Sequence, residues 1–264
     1  MGLGLNVRDA VKGLRNSRFV LHSLIWCFLL GPAVAFGITY LFPLDPAEQL
    51  GQILLGVSPC APFLPLLLSR AKSDPGHIAA FMLMAAIGTV IIMPLEVPLL
   101  DPALSVNSWT IAKPLIGITL MPLALGMTLY YYRPNWASRV QPVMKKVNWV
   151  FAAATVGLSW LVYGEGLLRI SLPAGFALVI YFIIMTLGSY AGGIGLVPHQ
   201  RLVLAVGSGT RNLGVAIAPL VSLPVIDERT IGMIVLAAPV MVLTSLGSSR
   251  IFQLRMAGSP PSLR

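Results

Sequence analysis

Four polar residues lie at the centre of an otherwise apolar run, where they are well placed to bind a charged solute. The run comprises residues 202–224, and its centre carries Ser208, Thr210, Arg211 and Asn212 among three glycines, Gly207, Gly209 and Gly214. About 20 helical residues cross a bilayer. Arg211 would then lie at mid-membrane, where an arginine costs about 2.5–3.5 kcal/mol on insertion scales. The pattern predicts an interrupted helix whose free backbone groups and cation bind cargo; capping of a neighbouring broken helix by Arg211 is the alternative.

A second apolar run is interrupted in a similar way. Residues 49–68 contain Pro59, Pro62 and Pro65, with Ser58 and Cys60 on either side of the first proline. Each interior proline removes a backbone hydrogen bond and costs about 3 kcal/mol in a helix. Such a break must be buried in protein or line a cavity. The candidate substrate- or ion-binding residues are therefore Ser58, Pro59, Cys60, Ser208, Thr210, Arg211 and Asn212. The alternatives are that the hydroxyls cap broken helix ends and that Cys60 is a small buried apolar residue.

The composition is that of an integral membrane protein. Of the 264 residues, 56% are hydrophobic and 10% are charged, whereas soluble domains carry about 25% charged residues. The net charge of +9 does not indicate nucleic-acid binding, because the basic residues are spread over short loops. Both cysteines lie in apolar runs, which predicts neither a disulfide framework nor a metal site, and we expect no cofactor. An intramembrane enzyme is disfavoured because the acidic residues do not cluster, and Glu96 is the only one well inside a span.

Eight apolar segments are predicted to cross the membrane, which makes the expected fold all-α and polytopic. They are Phe19–Phe42, Gln49–Leu68, His77–Leu99, Ile111–Tyr132, Val147–Leu168, Leu172–Leu196, Leu202–Pro224 and Ile231–Phe252. The termini and the loops on their side carry fourteen basic residues, against three on the other side. This excess predicts that both termini are cytoplasmic and that the protein lies in the cell (inner) membrane. Residues 1–18 would form a basic cytoplasmic lead and residues 254–264 a cytoplasmic tail.

The order helix, broken helix, helix occurs twice along the chain. Residues 19–110 form the first triplet and residues 169–253 the second, both assigned to a core, and residues 111–168 supply two panel-type helices between them. By the charge count the triplets begin on opposite sides of the membrane. This predicts inverted repeats whose broken helices cross near the midplane. Two helices precede the second triplet and none the first, which suggests that two helices are missing from the N-terminus.

These motifs resemble those of the bile acid:sodium symporter family. The resemblance extends from Met1 to about Phe252. It is carried by LLGVSPCAP with AKSD eight residues later, and by GSGTRNLGVAIAPL at the second break. It implies a protein of ten or sometimes nine helices, in which a core domain with the crossed broken helices packs beside a panel domain. In this comparison Met1 falls where the family's second helix ends.

The resemblance also implies sodium ligands, and this chain lacks them at the matching positions. The family's side-chain ligands fall on residues that offer no oxygen, namely Cys27, Leu64, Pro65, Ile78, Met82, Gly207 and Arg211. Asn212 alone is kept. Because sodium requires a cage of oxygens, the resemblance does not extend to the family's two sodium sites.

The expected function is secondary transport of a small organic anion across the lipid bilayer. Arg211 and the positive ends of the broken half-helices would attract the anionic group. The alternative is an arsenite or metalloid efflux permease, because that related branch also places Pro-Cys at the first break, as in Pro59-Cys60. Against this alternative, Leu213 stands where that branch has an acidic residue. Neither the substrate nor the oligomeric state can be read from the sequence.

Overall fold

The computed structural model describes residues 6–60, 62, 64–68, 74–100, 107–162, 164–223 and 225–257, and within them the protein is all-helical, as expected. The helices are α1 (Val7–Leu14), α2 (Ser17–Leu41), α3 (Pro46–Gly56), α4 (Leu64–Leu67), α5 (Pro75–Leu100), α6 (Ser108–Tyr132), α7 (Pro134–Val162), α8 (Gly164–Leu168), α9 (Leu172–Gly192), α10 (Pro198–Ser208), α11 (Leu213–Ile217) and α12 (Glu228–Ala257). A 3₁₀ turn, Ala218–Ser222, follows α11. Most of the predicted tail, residues 258–264, lies outside the described residues.

Five helices in the described part of the chain are long and apolar enough to cross a membrane. They are Ser17–Leu41, Pro75–Leu99, Ser108–Tyr132, Leu172–Gly192 and Glu228–Phe252, and they coincide with five of the eight predicted segments. Two further segments are the interrupted ones, in which α3 and α10 each end after 11 residues. The remaining segment corresponds to α7 and α8. Helix α7 begins at Pro134 rather than Val147 because a charged first half continues the helix beyond the apolar stretch. Eight crossings stay a prediction.

Three of the long helices contain a wider, π-helical turn. These turns are Ile25–Leu30 in α2, Ile116–Leu120 in α6 and Ile184–Gly188 in α9. The first two are followed by Gly31-Pro32 and Met121-Pro122. A proline has no N–H for the carbonyl four residues earlier, and a wider turn accommodates the missing bond. Each turn holds a buried thiol or hydroxyl group, from Cys27, Thr119 and Thr186.

The two interrupted segments enter the bundle from opposite ends. One core cluster contains α3 residues and joins them to the first turns of α9 and α12 through side chains such as Leu54, Ala174 and Ile231. The other contains α10 residues and joins them to α1 and to the first turns of α2 and α5 through side chains such as Leu202, Phe19 and Ile78. We call these the Glu48 end and the His77 end. It follows that α3 and α10 run toward each other and finish in the middle of the protein.

A buried carboxylate fixes the start of α3 at the Glu48 end. Glu48 is fully buried and accepts hydrogen bonds from the Asp45 N–H at 3.0 Å, the Ser171 N–H at 2.7 Å and the Ser171 hydroxyl at 3.0 Å. Beside it, Arg229 at the start of α12 pairs with both Asp45 and Asp227. Hydrogen bonds from the Arg229 side chain and backbone hold the pKa of Asp227 below its ordinary value. These contacts join the starts of α3, α9 and α12.

A second polar chain fixes the start of α10 at the His77 end. Nδ1 of His77 pairs with Asp74 just before α5, and Nε2 of His77 lies 3.0 Å from the amide nitrogen of Gln200. Oε1 of Gln200 accepts the Val197 N–H at 3.3 Å and so caps α10. The two half-helices are therefore anchored at their outer ends by separate polar networks.

Candidate functional site

The two interrupted segments meet at their breaks. Pro59 and Arg211 form an isolated antiparallel bridge. The Asn212 N–H donates to the Ser58 carbonyl at 2.9 Å, and the Cys60 N–H donates to the Thr210 carbonyl at 3.0 Å. Backbone groups at membrane depth need partners within the protein, because lipid supplies none. Each break thus supplies hydrogen-bond partners to the extended backbone of the other.

The C-terminal end of α3 has a complete set of donors. The last four carbonyls of a helix have no partner within the helix and need one from elsewhere. Here Ser58 supplies two of the donors and Arg211 supplies the last. The pairs are Val57 N–H to Ile53 O, Ser58 hydroxyl to Leu54 O, Ser58 N–H to Leu55 O and Arg211 Nη1 to Gly56 O, the last at 3.2 Å. The guanidinium therefore lies at the negative end of this half-helix, where the helix dipole favours a cation.

The Arg211 side chain is wholly enclosed by protein, with 0% of its surface exposed. Its guanidinium carbon lies 5.3 Å from the centre of the Tyr181 ring in α9. A methyl group built on Gly31 of α2 would come within 2.9 Å of Nη2, so only glycine lets the cation approach this closely. Nε and Nη2 have no hydrogen-bond partner within the described residues. The cation thus lies between α2, α9 and the end of α3.

A small cleft opens on another side of the crossing. Its volume is about 20 Å³, and it is lined by Pro59, Cys60, Pro62, Met82, Ala85, Ala86, Thr89, Thr119, Leu123 and Asn212. Thr119 Oγ1 is buried there without a hydrogen-bond partner among the described residues. A volume of this size holds about one water molecule, so the cleft is narrow at the crossing.

Comparison with known proteins places the chain in a family. The sequence profile of the sodium bile acid symporter family matches residues 1–169, well over half of the chain. The chain belongs to that family. No curated protein matches it. With the apolar helices described above, membership makes the protein an integral membrane transporter of the secondary type. The match contains the first break, and the second break lies beyond it.

The seven predicted binding residues divide into two groups around the crossing. Pro59, Cys60 and Asn212 line the cleft, and Asn212 also caps α11 by accepting the Val215 N–H at 3.3 Å. The other four are fully buried and do not line it: Ser58, Ser208, Thr210 and Arg211. The hydroxyls of Ser58 and Thr210 donate to the carbonyls of Leu54 and Gly207. The geometry brings all seven to one crossing, and their roles in binding stay predictions.

Two cleft residues, Thr89 and Thr119, were not anticipated from the sequence. Both are buried, and both belong to helices that flank the crossing. A single threonine in an apolar run has no distinctive pattern. The signal for Thr89 in the sequence is its spacing of seven residues from Met82, a position at which the resemblance implies a sodium ligand. Seven residues are about two helical turns, which puts both side chains on one face of α5.

Cys60 adopts a backbone conformation that is unfavourable for most residues. Its φ of +62° is the only positive value among the non-glycine residues that the structure describes. The left-handed region costs about 1–2 kcal/mol for a residue with a Cβ. Strain of this kind concentrates at functional sites. The thiol is therefore held on the cleft at a cost in backbone energy.

Proposed function

We propose that this family member moves a small organic anion across the cell (inner) membrane without sodium coupling. The observation that carries the proposal is the meeting of two broken segments beside a small buried cleft. Secondary transporters hold their cargo at interrupted helices near the bilayer midplane. The polar lining supplied by Thr89, Thr119 and Asn212 offers hydroxyl and amide groups to a ligand.

The arrangement proposed here consists of eight crossings in two inverted repeats, with both termini in the cytoplasm. Its support is that α3 and α10 begin at opposite ends of the bundle and finish at one crossing. The positive charges of the loops, fourteen against three, favour the same orientation. The His77 end then faces the cytoplasm, and the Glu48 end faces outward.

The charge at the crossing favours an anion over a cation. Arg211 places a permanent positive charge beside the cleft, in a region of low dielectric where electrostatic attraction acts over several ångströms. The same charge opposes a sodium ion nearby. Leu64, Pro65 and Met82 also stand at family ligand positions without offering oxygen. We propose that the guanidinium takes the structural place of the bound cation at the end of α3.

Uptake into proteoliposomes tests this function. The panel comprises small monocarboxylates, taurocholate and arsenite, each measured with sodium and with sodium replaced by choline at equal ionic strength. We expect at least one organic anion to enter equally fast in both media. Thr89→Val removes only a hydroxyl from the cleft. We expect this variant to weaken the apparent affinity of the protein for the transported anion about 2- to 10-fold.

The matched control is Thr244→Val, because the Thr244 hydroxyl donates to the carbonyls of Val240 and Met241 in its own helix. This variant should transport like the wild type. Steep, saturable dependence on sodium would contradict the absence of sodium coupling. A panel in which no organic anion enters above the rate of empty liposomes would contradict the proposed substrate class.

Arsenite or metalloid efflux is the second candidate, and the strained Cys60 on the cleft is the observation that favours it. Cys60→Gly removes the thiol and relieves the backbone strain, so the fold is retained. If the thiol holds a metalloid, this variant loses the arsenite resistance that the wild type confers on a sensitive host. A wild type that confers no resistance eliminates the candidate.

A further inference from the structure

Glu96 is an acidic residue in the apolar helix α5, and the proposed function gives it no role. It lies between Pro94 and Pro98, four residues before the end of the helix. A stripe at alternating spacings of four and three runs up one face of α5 through Met82, Ala86, Thr89, Met93 and Glu96. The first three line the cleft. Glu96 thus continues the cleft-lining face toward the Glu48 end, about 10 Å beyond Thr89.

The carboxyl group of Glu96 is half-buried within the helical bundle. Oε2 is buried and has no hydrogen-bond partner among the described residues. The neighbouring part of α2, Gly31–Leu41, has no charged residue, and α6 has Lys113. Among the residues that the structure describes, Arg211 supplies the charge that acts on Glu96 from another segment. A buried carboxyl oxygen that accepts no hydrogen bond from the described residues can take a proton, so the geometry suits Glu96 to gaining and losing one.

We propose that Glu96 binds the proton whose entry is coupled to entry of the anion, an inference that rests on the proposed transport function. When ionised, Glu96 repels an anion that approaches the cleft from the Glu48 end. When protonated, it no longer does. At about 10 Å in a protein interior the repulsion changes anion affinity by roughly tenfold. By linkage, anion binding favours the protonated form by the same factor. Proton and anion therefore move together, and sodium is not required.

The direct test is infrared titration of the purified full-length protein, which needs no substrate. The wild type should show the carbonyl stretch of a buried carboxylic acid that disappears as the pH rises. Glu96→Gln should lack this band. Glu165→Gln is the matched control, because the Glu165 side chain is 83% exposed and pairs with Arg169 near the surface. It should retain the band. Absence of the band in the wild type, or its persistence in Glu96→Gln, overturns the proposal.

The second test uses whichever panel anion the wild type transports into proteoliposomes. An alkaline interior should drive accumulation by the wild type and by Glu165→Gln. Glu96→Gln should lose this accumulation while keeping exchange of internal for external anion at equal pH. Accumulation by Glu96→Gln equal to that of the wild type overturns the coupling role and leaves anion transport standing. If no anion is transported at all, the transport function fails and the coupling role fails with it, whatever the infrared result.

Discussion

Replacing Arg211 by glutamine is expected to lower the free energy of unfolding by about 2–4 kcal/mol. The change leaves the Gly56 carbonyl without its donor, an unsatisfied buried group that costs about 1–3 kcal/mol. It also removes the cation from the face of the Tyr181 ring, an interaction of roughly 1–2 kcal/mol when buried. Thermal melting in detergent measures the effect, at about 2–4 °C per kcal/mol for a protein of this size.

The enclosed position of the guanidinium makes a second expectation possible. In the protein that remains folded, Arg211→Gln should weaken anion affinity by roughly tenfold, because it removes a permanent positive charge beside the cleft even though the side chain does not line it. Arg169→Gln is the matched control, since the Arg169 side chain is 68% exposed, and its melting temperature should stay unchanged. Unchanged stability would mean that the guanidinium does not hold the end of α3 as described, and unchanged anion affinity would mean that its charge does not act at the cleft.

Removing the Glu48 carboxylate is expected to be at least as damaging. Glu48→Ala eliminates three hydrogen bonds to a buried charge and separates the start of α3 from the start of α9. Hydrogen bonds to charged groups contribute about 1.5–3 kcal/mol each, so the total loss should exceed about 3 kcal/mol. Glu48→Gln keeps the shape of the side chain and one good hydrogen-bond acceptor. It should therefore lose about half as much free energy of unfolding as Glu48→Ala. The melting temperatures should fall in the order wild type, Gln, Ala.

Glu165→Ala is the control for Glu48→Ala, because it removes an exposed glutamate at a neighbouring surface. Its stability should stay within about 0.5 kcal/mol of the wild type. If Glu48→Ala melts at the same temperature as this control, then the three hydrogen bonds do not anchor α3 as described.

The sequence was sufficient to locate both interruptions, because their causes are local. Three prolines in seven residues break a helix wherever it lies, and the run from Gly207 to Asn212 combines flexible backbone with polar groups. The five long apolar helices were equally predictable, since their length and hydropathy do not depend on packing. The charged first half of α7 was not predictable in this way, because a helix can continue past the apolar stretch that hydropathy detects.

The environment of each polar side chain at the crossing could not be predicted in the same way. Whether Arg211 faces the cleft or the core depends on Gly31 and Tyr181, which approach it from helices distant in the sequence. The partner of Glu48 is likewise 123 positions away. Such contacts follow from tertiary packing, which no spacing within one segment encodes. The seven-residue spacing from Met82 could place Thr89 on the same face of α5, but the sequence did not show that this face lines the cleft.

The π-helical turn in α2 has a consequence for how related sequences are aligned. A π-helical turn closes its hydrogen bond one residue later than an α-helical turn, so two relatives with and without it differ in register by one position. Cys27, matched above to a family sodium ligand, lies inside such a turn, Ile25–Leu30. A shift by one residue in either direction brings Trp26 or Phe28 to that position instead. Neither side chain has an oxygen, so the predicted absence of that ligand holds in either register.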